Sequence, residues 1–373
     1  MKNLFILFAL SGLMTSCVAQ QNSGDGFTIN GSWSDGRDGD TVFCVAITQL
    51  GVLPVDTTFI KNGKFKMEVS EKEAALRTVV AVQNGMPAAA TEVIVTPKGS
   101  VNVELPTSPD EMGKVSGNRD NEIWHEARRQ EMIVSQEAQN YIRAVNDTTQ
   151  DIVTRFNARQ KMDSISNLIS NKYAECIINN IPSPTCGIML QYFGSDFNEQ
   201  QLSKIMDLMS KKMPDDPVYK SIVAQRNAEQ ETAVGKPFKE IAMVDLSGKM
   251  QRLSEVVKAN KLTLVDFWAS WCAPCRAEMP NVKRLYAAYH DKGLEIYGVS
   301  FDENMLSWQN AVTQMQLPWI QVSDLKGWAS DGAKIYNIRG IPATILIDAN
   351  GTIVGKNLRG QDLVKKVSEI LDK

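Results

Sequence analysis

A pair of cysteines separated by two residues, Cys272 and Cys275, constrains this chain more than any other feature of its 373 residues. The run from Leu262 to Phe267 before the pair is apolar and partly β-branched, which predicts a buried strand. The residues after the pair carry apolar side chains at helical spacing, so Cys272 is expected at a helix N-terminus. Unpaired backbone N–H groups and the helix dipole favour a thiolate there. The two-residue spacer lets Cys275 close a small disulfide, which is the arrangement that thiol–disulfide exchange requires.

The same spacing also occurs in half of a zinc site, which then needs a second Cys or His pair. Beyond residue 231 the sequence has no further cysteine, and its one histidine there is His290. The pattern therefore favours redox chemistry, with no metal and no cofactor expected. The net charge of −3 gives no polycationic signature, so we expect no nucleic-acid partner.

The first residues indicate export. Lys2 is followed by an apolar run from Leu4 to Met14, which is typical of a secretory signal peptide and too short to span a bilayer. The run ends in Leu-Met-Thr-Ser-Cys, which resembles a bacterial lipobox and predicts lipidation of Cys17 after removal of residues 1–16. Residues 17–26 would then form a tether to the membrane. The alternative is ordinary signal-peptidase cleavage after Ala19.

Three cysteines remain outside these assignments. Cys44 lies in a strand-like run, and we expect it to be a small buried apolar residue. Cys176 and Cys186 flank a Pro-x-Pro turn in a helical region. In an oxidising compartment they could pair, and both also suit helix core positions.

Residues 27–117 are predicted to form an all-β domain, because short apolar runs are separated by Gly, Asp, Asn and Pro. Asn62-Gly63 predicts a hairpin turn with positive φ. The predicted strands are Phe27–Gly31, Thr41–Ile47, Thr57–Ile60, Lys64–Val69, Arg77–Val82 and Glu92–Thr96. Gly31, Asp56-Thr-Thr, Asn62-Gly-Lys-Phe and Val115-Ser-Gly resemble a sandwich-like domain that often precedes thioredoxin domains in Gram-negative lipoproteins. We interpret it as a spacer or docking module.

Residues 118–231 have helical periodicity, with apolar stripes such as the one within Ile152–Ile178. Ile181-Pro-Ser-Pro184 predicts a helix break, and Asp216-Pro217 predicts a helix start. His125 lies in a polar stretch and is predicted to be a surface residue.

Residues 232–373 alternate strand and helix patterns, which predicts an α/β domain. A β-hairpin is expected within residues 235–249, ahead of the strand and helix that carry the cysteines. Leu294–Ser300 should pair in parallel with the strand at Leu262, through a right-handed crossover. Met305–Met315 and Gln361–Leu371 are predicted helices. The fold class is therefore multi-domain: an all-β sandwich-like domain, a helical middle region and a C-terminal α/β domain.

The stretch Val-Asp-Phe-Trp-Ala-Ser-Trp-Cys-Ala-Pro-Cys, from residue 265 to residue 275, closely resembles thioredoxin when taken with Gly340-Ile341-Pro342. The extra hairpin and Glu278 resemble the TlpA/ResA branch of membrane-tethered thioredoxin-like proteins. The resemblance covers residues 232–373 and implies a thioredoxin-like fold with a redox-active Cys272–Cys275 pair.

The resemblance implies roles for four residues around the pair. Cys272 would be the exposed nucleophile and Cys275 the buried resolving thiol. Asp266 would lie beneath them with a raised pKa and accept the proton of Cys275 through water, or be a satisfied structural carboxylate. Glu278 would adjust the pKa values of the thiols, or cover the helix surface.

The resemblance also implies a binding surface for substrate. The Ile341-Pro342 bond would be cis, as in the family, and would place the Ile341 backbone where a substrate strand can pair with it. Trp271 would border this groove, and Trp268 would lie in the core.

Together these features predict a thiol–disulfide oxidoreductase, with reduction of exported protein disulfides as its direction. Its partners would be disulfide-containing exported proteins, a membrane electron donor and, through the lipid, the membrane. The expected location is the periplasm-facing cell envelope of a Gram-negative bacterium. Two alternatives remain open: a binding or redox-sensing lipoprotein that uses residues 27–231, and a thiol peroxidase-like enzyme. The pattern Pro-x-x-x-Thr-x-x-Cys of such peroxidases is missing from the sequence.

Overall fold

A computed structural model describes residues 26–48, 51–108 and 111–372. The predicted signal peptide and Cys17 lie outside the described residues. The chain divides into two compact units, Met1–Lys220 and Ser221–Lys373. This division falls within a helix, Pro217–Glu231, eleven residues before the predicted boundary at residue 231, which stays a prediction. Among the residues described, no helix combines the length and apolar character that crossing a membrane requires.

The first unit begins with two four-stranded sheets, in the orders β4-β1-β7-β8 and β3-β2-β5-β6. The strands are β1 Phe27–Ser32, β2 Thr41–Thr48, β3 Gly51–Phe59, β4 Lys64–Val69, β5 Ala75–Gln83, β6 Met86–Val95, β7 Gly99–Glu104 and β8 Lys114–Ser116. Both sheets contribute to one hydrophobic core, for example Phe27 from β1 and Val79 from β5. Burial alternates along β4, as expected for a strand with one face on a core. The predicted β-sandwich is confirmed.

The turn before β4 has the predicted conformation, with φ of 52° at Asn62 and 69° at Gly63. β7 and β8 were not predicted. In β7 the side chains buried in the core are Val101 and Val103, and two apolar residues give too short a pattern for a strand to be recognised.

Five helices follow, with the bounds α1 Arg119–Asn146, α2 Ile152–Asn180, α3 Pro184–Phe193, α4 Glu199–Lys212 and α5 Pro217–Glu231. The predicted break at Ile181–Pro184 is confirmed. The predicted start at Asp216 is also confirmed, since its carboxylate accepts hydrogen bonds from the N–H groups of Val218 and Tyr219. Cys176 and Cys186 are both free thiols.

Helix α1 packs against β6, and this contact overturns the prediction for His125. His125 is only 1% exposed, and its Nε2 is 2.8 Å from the Glu92 carbonyl oxygen. The surface assignment was wrong because His125 faces a strand of the sandwich, as Arg128 does one turn later, while the polar neighbours Glu122 and Glu126 are exposed. Asn121, one turn before His125, exchanges two hydrogen bonds of 2.8 Å with the backbone of Ile94.

The second unit contains a seven-stranded mixed sheet in the order β10-β9-β13-β12-β11-β14-β15. Its strands are β9 Ala242–Asp245, β10 Met250–Arg252, β11 Leu262–Trp268, β12 Leu294–Ser300, β13 Ile320–Ser323, β14 Ala343–Asp348 and β15 Ile353–Lys356. Its helices are α6 Leu253–Ala259, α7 Ala273–Tyr289, α8 Met305–Met315, α9 Asp331–Tyr336 and α10 Gly360–Leu371. β11 and β12 pair in parallel, with Leu262 opposite Leu294, as predicted.

Every residue of β11 is buried, because the strand lies inside the sheet and is covered on both faces. Trp268 is fully buried at its end, as predicted, and donates a 3.0 Å hydrogen bond to the side chain of Gln321. This hydrogen bond holds the end of β11 in place, and Cys272 follows Trp268 by four residues.

Candidate functional site

The cysteine pair lies at the N-terminus of α7, immediately after β11. Cys272 is the N-cap residue, and its Sγ accepts a hydrogen bond from the Cys275 N–H at 3.1 Å. The two sulfurs are joined in a disulfide, with the Cα atoms 5.3 Å apart. The structure therefore describes the oxidised form of a pair placed where a helix N-terminus stabilises a thiolate after reduction.

The expectation that Cys272 is exposed is wrong for this form. Cys272 is 3% exposed and Cys275 is 1% exposed. The reason is local, because the Cys272 sulfur turns back over the first turn of α7, towards both the sulfur and the backbone N–H of Cys275. The neighbouring Trp271 is 55% exposed, so it supplies the accessible surface beside the disulfide.

A buried carboxylate holds the loop before the cysteines. Asp302 accepts a 3.0 Å hydrogen bond from the Ser270 N–H, a short one from the Ser270 hydroxyl and a 2.6 Å bond from the Ser300 hydroxyl. Sequence reasoning missed Asp302, although its place just after the buried strand β12 was a usable signal. Its hydrogen bonds fix the loop two residues before Cys272.

Asp266 lies within β11 and is almost fully buried. Burial raises its pKa to about 7, the nearby Glu278 carboxylate also raises it, and the Arg359 guanidinium lowers it. One carboxylate oxygen, Oδ2, has no hydrogen-bond partner among the described residues. An aspartate in this state can accept and release a proton near neutral pH.

Asp266 and Cys275 line the same small cavity, together with Glu278, Pro342 and Arg359. The cavity has about 10 Å³ of space for the centre of a water molecule, which is about what a single buried water requires. The placement that the resemblance implied for Asp266, beneath the cysteine pair, matches this geometry.

Glu278 faces this cavity from α7. Its Oε1 accepts a hydrogen bond from the Gly360 N–H at 2.7 Å, and its Oε2 accepts one from Asn281 at 3.0 Å. The Glu278 carboxylate raises the pKa of Asp266, whereas its predicted effect on the pKa values of the thiols stays a prediction.

The Ile341–Pro342 bond is cis. Pro342 is buried and Ile341 is half-buried. The Pro342 carbonyl accepts a short hydrogen bond from the Arg359 guanidinium. Arg359 was not among the site residues predicted from the sequence. Arg359 thus contacts the Pro342 segment and lines the cavity of Asp266.

Two exposed tryptophans lie together beside the cysteine pair. The ring centroids of Trp271 and Trp328 are 6.2 Å apart, and Trp328 also contacts Phe301 at 5.4 Å. Trp328 is 46% exposed. It was missed because it comes from a short helical turn 57 positions later in the chain.

The site thus brings together the predicted Cys272, Cys275, Asp266, Glu278 and Pro342. Ile341 and Trp271 flank this group in sequence, next to Pro342 and Cys272. Within the described ranges no group of three or more His, Cys, Asp or Glu residues could hold a metal ion. The arrangement can support exchange of a disulfide, with one carboxyl group available for proton transfer.

Two family models match the chain. The model described as AhpC/TSA family matches residues 234–356, and the one described as a domain of unknown function, DUF4369, matches residues 27–124.

Curated relatives match the second unit. The chain is 30% identical over 145 residues to the thiol-disulfide oxidoreductase ResA of Bacillus thuringiensis subsp. konkukian, covering 39% of this chain and 80% of that protein. It is 32% identical over 136 residues to ResA of Geobacillus kaustophilus, covering 36% and 74%. A solved thioredoxin domain of a thiol-disulfide oxidoreductase from Bacteroides vulgatus is 38% identical, with a TM-score of 0.35, covering 37% of this chain and 98% of that one.

Proposed function

Because this chain belongs to the ResA family of thiol-disulfide oxidoreductases, we propose that it reduces disulfide bonds in proteins exported to the bacterial cell envelope. The observation that carries the proposal is the Cys272–Cys275 disulfide at the head of α7, with the carboxyl group of Asp266 in the cavity that Cys275 lines.

The reaction starts from the reduced pair. The Cys272 thiolate attacks one sulfur of the client disulfide, and the other client sulfur leaves as a thiolate that takes up a proton. A mixed disulfide now joins Cys272 to the client. Cys275 then attacks the Cys272 sulfur, which re-forms the Cys272–Cys275 disulfide and releases the second client thiol. Two electrons pass from the enzyme to the client.

The second step needs a thiolate at Cys275, and the residue is buried. Burial disfavours ionisation of a thiol, so a proton acceptor is required near it. Asp266 is suited to this role because its pKa of about 7 lets it take a proton at neutral pH. The shared cavity, which has room for one water, supports a relay between the two groups.

The proposed direction of electron flow, from the enzyme to the client, rests on the spacer between the two cysteines and on Asp266. The Ala273-Pro274 spacer contains no cationic side chain that would stabilise the reduced pair, and the buried Asp266 resembles the equivalent residue of reductants rather than strong oxidants. Repeated turnover then needs an electron donor that reduces Cys272–Cys275 again, and we propose a donor in the membrane.

The proposed location rests on the N-terminal sequence. The apolar run Leu4–Met14 and the lipobox-like residues up to Cys17 support export and lipid attachment. We therefore propose a lipid-anchored protein whose second unit faces the periplasm.

Reduction of insulin with dithiothreitol as electron source tests the activity. The wild-type protein should accelerate the reaction, Cys272→Ala should abolish the acceleration, and Cys176→Ser, a free cysteine outside the pair, should leave it unchanged. Cys275→Ser should accumulate a mixed disulfide on Cys272, from which client proteins of an envelope extract can be identified by mass spectrometry. Equal turnover by wild type and Cys272→Ala would contradict the proposal.

A further inference from the structure

A polar pocket lies beside the cysteine pair, between α7 and α8. It has a volume of about 180 Å³, and we call it the α7–α8 pocket. Arg276 contributes from α7, Ser270 from the active-site loop, and Ser307, Asn310 and Gln314 from α8. The three α8 residues follow one another at helical spacing, so one face of that helix presents polar groups to the pocket.

Two residues that line the α7–α8 pocket are close in sequence to the reacting cysteines, although neither cysteine lines the pocket itself. Ser270 precedes Cys272 by two residues, and Arg276 directly follows Cys275. The Arg276 N–H donates a 3.1 Å hydrogen bond to the Cys272 carbonyl. A client whose disulfide meets Cys272 therefore brings its neighbouring residues within reach of this pocket.

The pocket has an unbalanced positive charge. The residues that line it include no Asp or Glu. In the described part of the chain, the Arg276 side chain has neither an ion pair nor a hydrogen bond with another residue, and it is exposed. An exposed guanidinium beside the amides of Asn310 and Gln314 and the hydroxyl of Ser307 suits a carboxylate, because each of these groups can donate a hydrogen bond. The Ser270 hydroxyl already donates to Asp302.

The other charges nearby are already engaged. Lys283, two turns further along α7, donates a 2.9 Å hydrogen bond to the Met315 carbonyl at the end of α8. The Asp302 carboxylate behind Ser270 is buried and accepts hydrogen bonds from Ser270 and Ser300. The Arg276 guanidinium is therefore the charged group in the pocket that is available to bind a ligand.

We propose that the α7–α8 pocket binds the carboxylate of an Asp or Glu side chain that lies near the target cysteine of a client protein. The pocket would make the enzyme select acidic sequences around the disulfide. This inference rests on the proposed function, and it concerns the choice of client rather than the exchange itself.

Peptides with a single disulfide and blocked termini test the inference, because the side chain is then their only source of a carboxylate. Asp, Asn or Lys is placed in turn at each position flanking one cysteine, and kcat/KM for reduction is measured with dithiothreitol as electron source. At one or more positions the Asp peptide should be reduced at least about threefold more efficiently than the Asn peptide. The Lys peptide should be the poorest substrate, and the preference should weaken as salt is added.

Variants assign the preference to the pocket. Arg276→Gln should remove it, and Arg276→Glu should reverse it in favour of the Lys peptide. Arg284→Gln removes an exposed arginine elsewhere on α7, one that contacts Asn281, and should retain the wild-type preference. Measuring the pKa of the Cys272 thiol in each variant shows whether a changed reduction rate comes from client selection or from a changed fraction of Cys272 thiolate.

Equal reduction of the Asp, Asn and Lys peptides at every position would overturn the inference. So would a preference that survives in Arg276→Gln. Such results, with all peptides still reduced, would leave the proposed function intact. Failure of the wild type to reduce any peptide would instead contradict the proposed function, and the inference with it.

Discussion

The Oε1 atom of Glu278 accepts a hydrogen bond from the backbone N–H of Gly360 at 2.7 Å, which ties the active-site helix to the N-terminus of α10. The preceding residue, Arg359, donates to the Pro342 carbonyl. Gly360 therefore contacts the helix that carries the cysteines, and its neighbour Arg359 contacts the cis-proline segment. Because Glu278 and Arg359 have opposite effects on the pKa of Asp266, they can be tested as an opposing pair.

Glu278→Gln should lower the pKa of Asp266 below about 7, because it removes a negative charge and keeps an oxygen that can accept from Gly360. At pH 6 more Asp266 would be ionised, so the step in which Cys275 releases the client should accelerate about twofold. Single-turnover rates across pH measure this shift. Glu255→Gln, an exposed acid on α6, is the control and should leave the profile unchanged. An Asp266 pKa that stays the same or rises would contradict the role assigned to Glu278.

Arg359→Gln should have the opposite effect and raise the pKa of Asp266, because the guanidinium stabilises the ionised carboxylate. The rate of the same step should then begin to rise at a higher pH than in the wild type. Carbon-13 NMR of the Asp266 carboxyl gives the pKa directly. Arg359→Lys keeps the charge and should remain near the wild-type value. If Arg359→Lys and Arg359→Gln shift the pH profile equally, the contact of Arg359 with Pro342, and not its charge, controls the pKa of Asp266.

Asp266→Asn should stabilise the second unit at alkaline pH. Below pH 4 the carboxyl is protonated whether the chain is folded or unfolded. As pH rises from about 4 to about 7, the unfolded chain loses the proton and the folded one keeps it, so stability falls. Above pH 7 the penalty reaches about 4 kcal/mol at most. Hydrogen exchange of β11 amides should therefore slow in the variant at pH 8 and match the wild type near pH 4. Equal protection at pH 8 would contradict the raised pKa.

Asn121→Ala should destabilise the contact between α1 and the sandwich. The side chain is fully buried and satisfies both the N–H and the carbonyl of Ile94. Its removal leaves two buried backbone groups unpaired, which should cost about 2–4 kcal/mol. Hydrogen exchange of the amides of α1 and β6 measures the loss. Asn140→Ala, on an exposed turn of the same helix, is the matched control, and an equal effect in both variants would refute the assignment.

Local sequence patterns were sufficient for the parts of the fold that neighbouring residues specify. The apolar run of β11, the cysteine spacing and the capping position of Cys272 lie within a few residues of one another, so the helix N-terminus could be placed from them. The Asn62-Gly63 turn depends on the same kind of local chemistry, since both residues tolerate positive φ. β7 was missed because two valines provide too little periodicity.

Burial was harder to predict, because it depends on what covers a residue. His125 lies among polar neighbours and is nevertheless buried, since α1 packs on β6. Cys272 was expected to be exposed and is buried in the disulfide form, because its sulfur turns towards Cys275. The pattern of apolar and polar residues around His125 and around Cys272 does not predict that either side chain is buried.

The sequence by itself determined the chemistry of this protein: two thiols at a helix N-terminus, a carboxyl group on the buried strand before them and a proline downstream. Tertiary structure alone decided which distant groups adjust that chemistry. Arg359, Trp328 and Asp302 reach the site from separate segments of the chain, and the α7–α8 pocket exists only because two helices face each other. Electrostatic and hydrogen-bonding effects act over a few ångströms of space, and the order of residues along a chain does not report those distances.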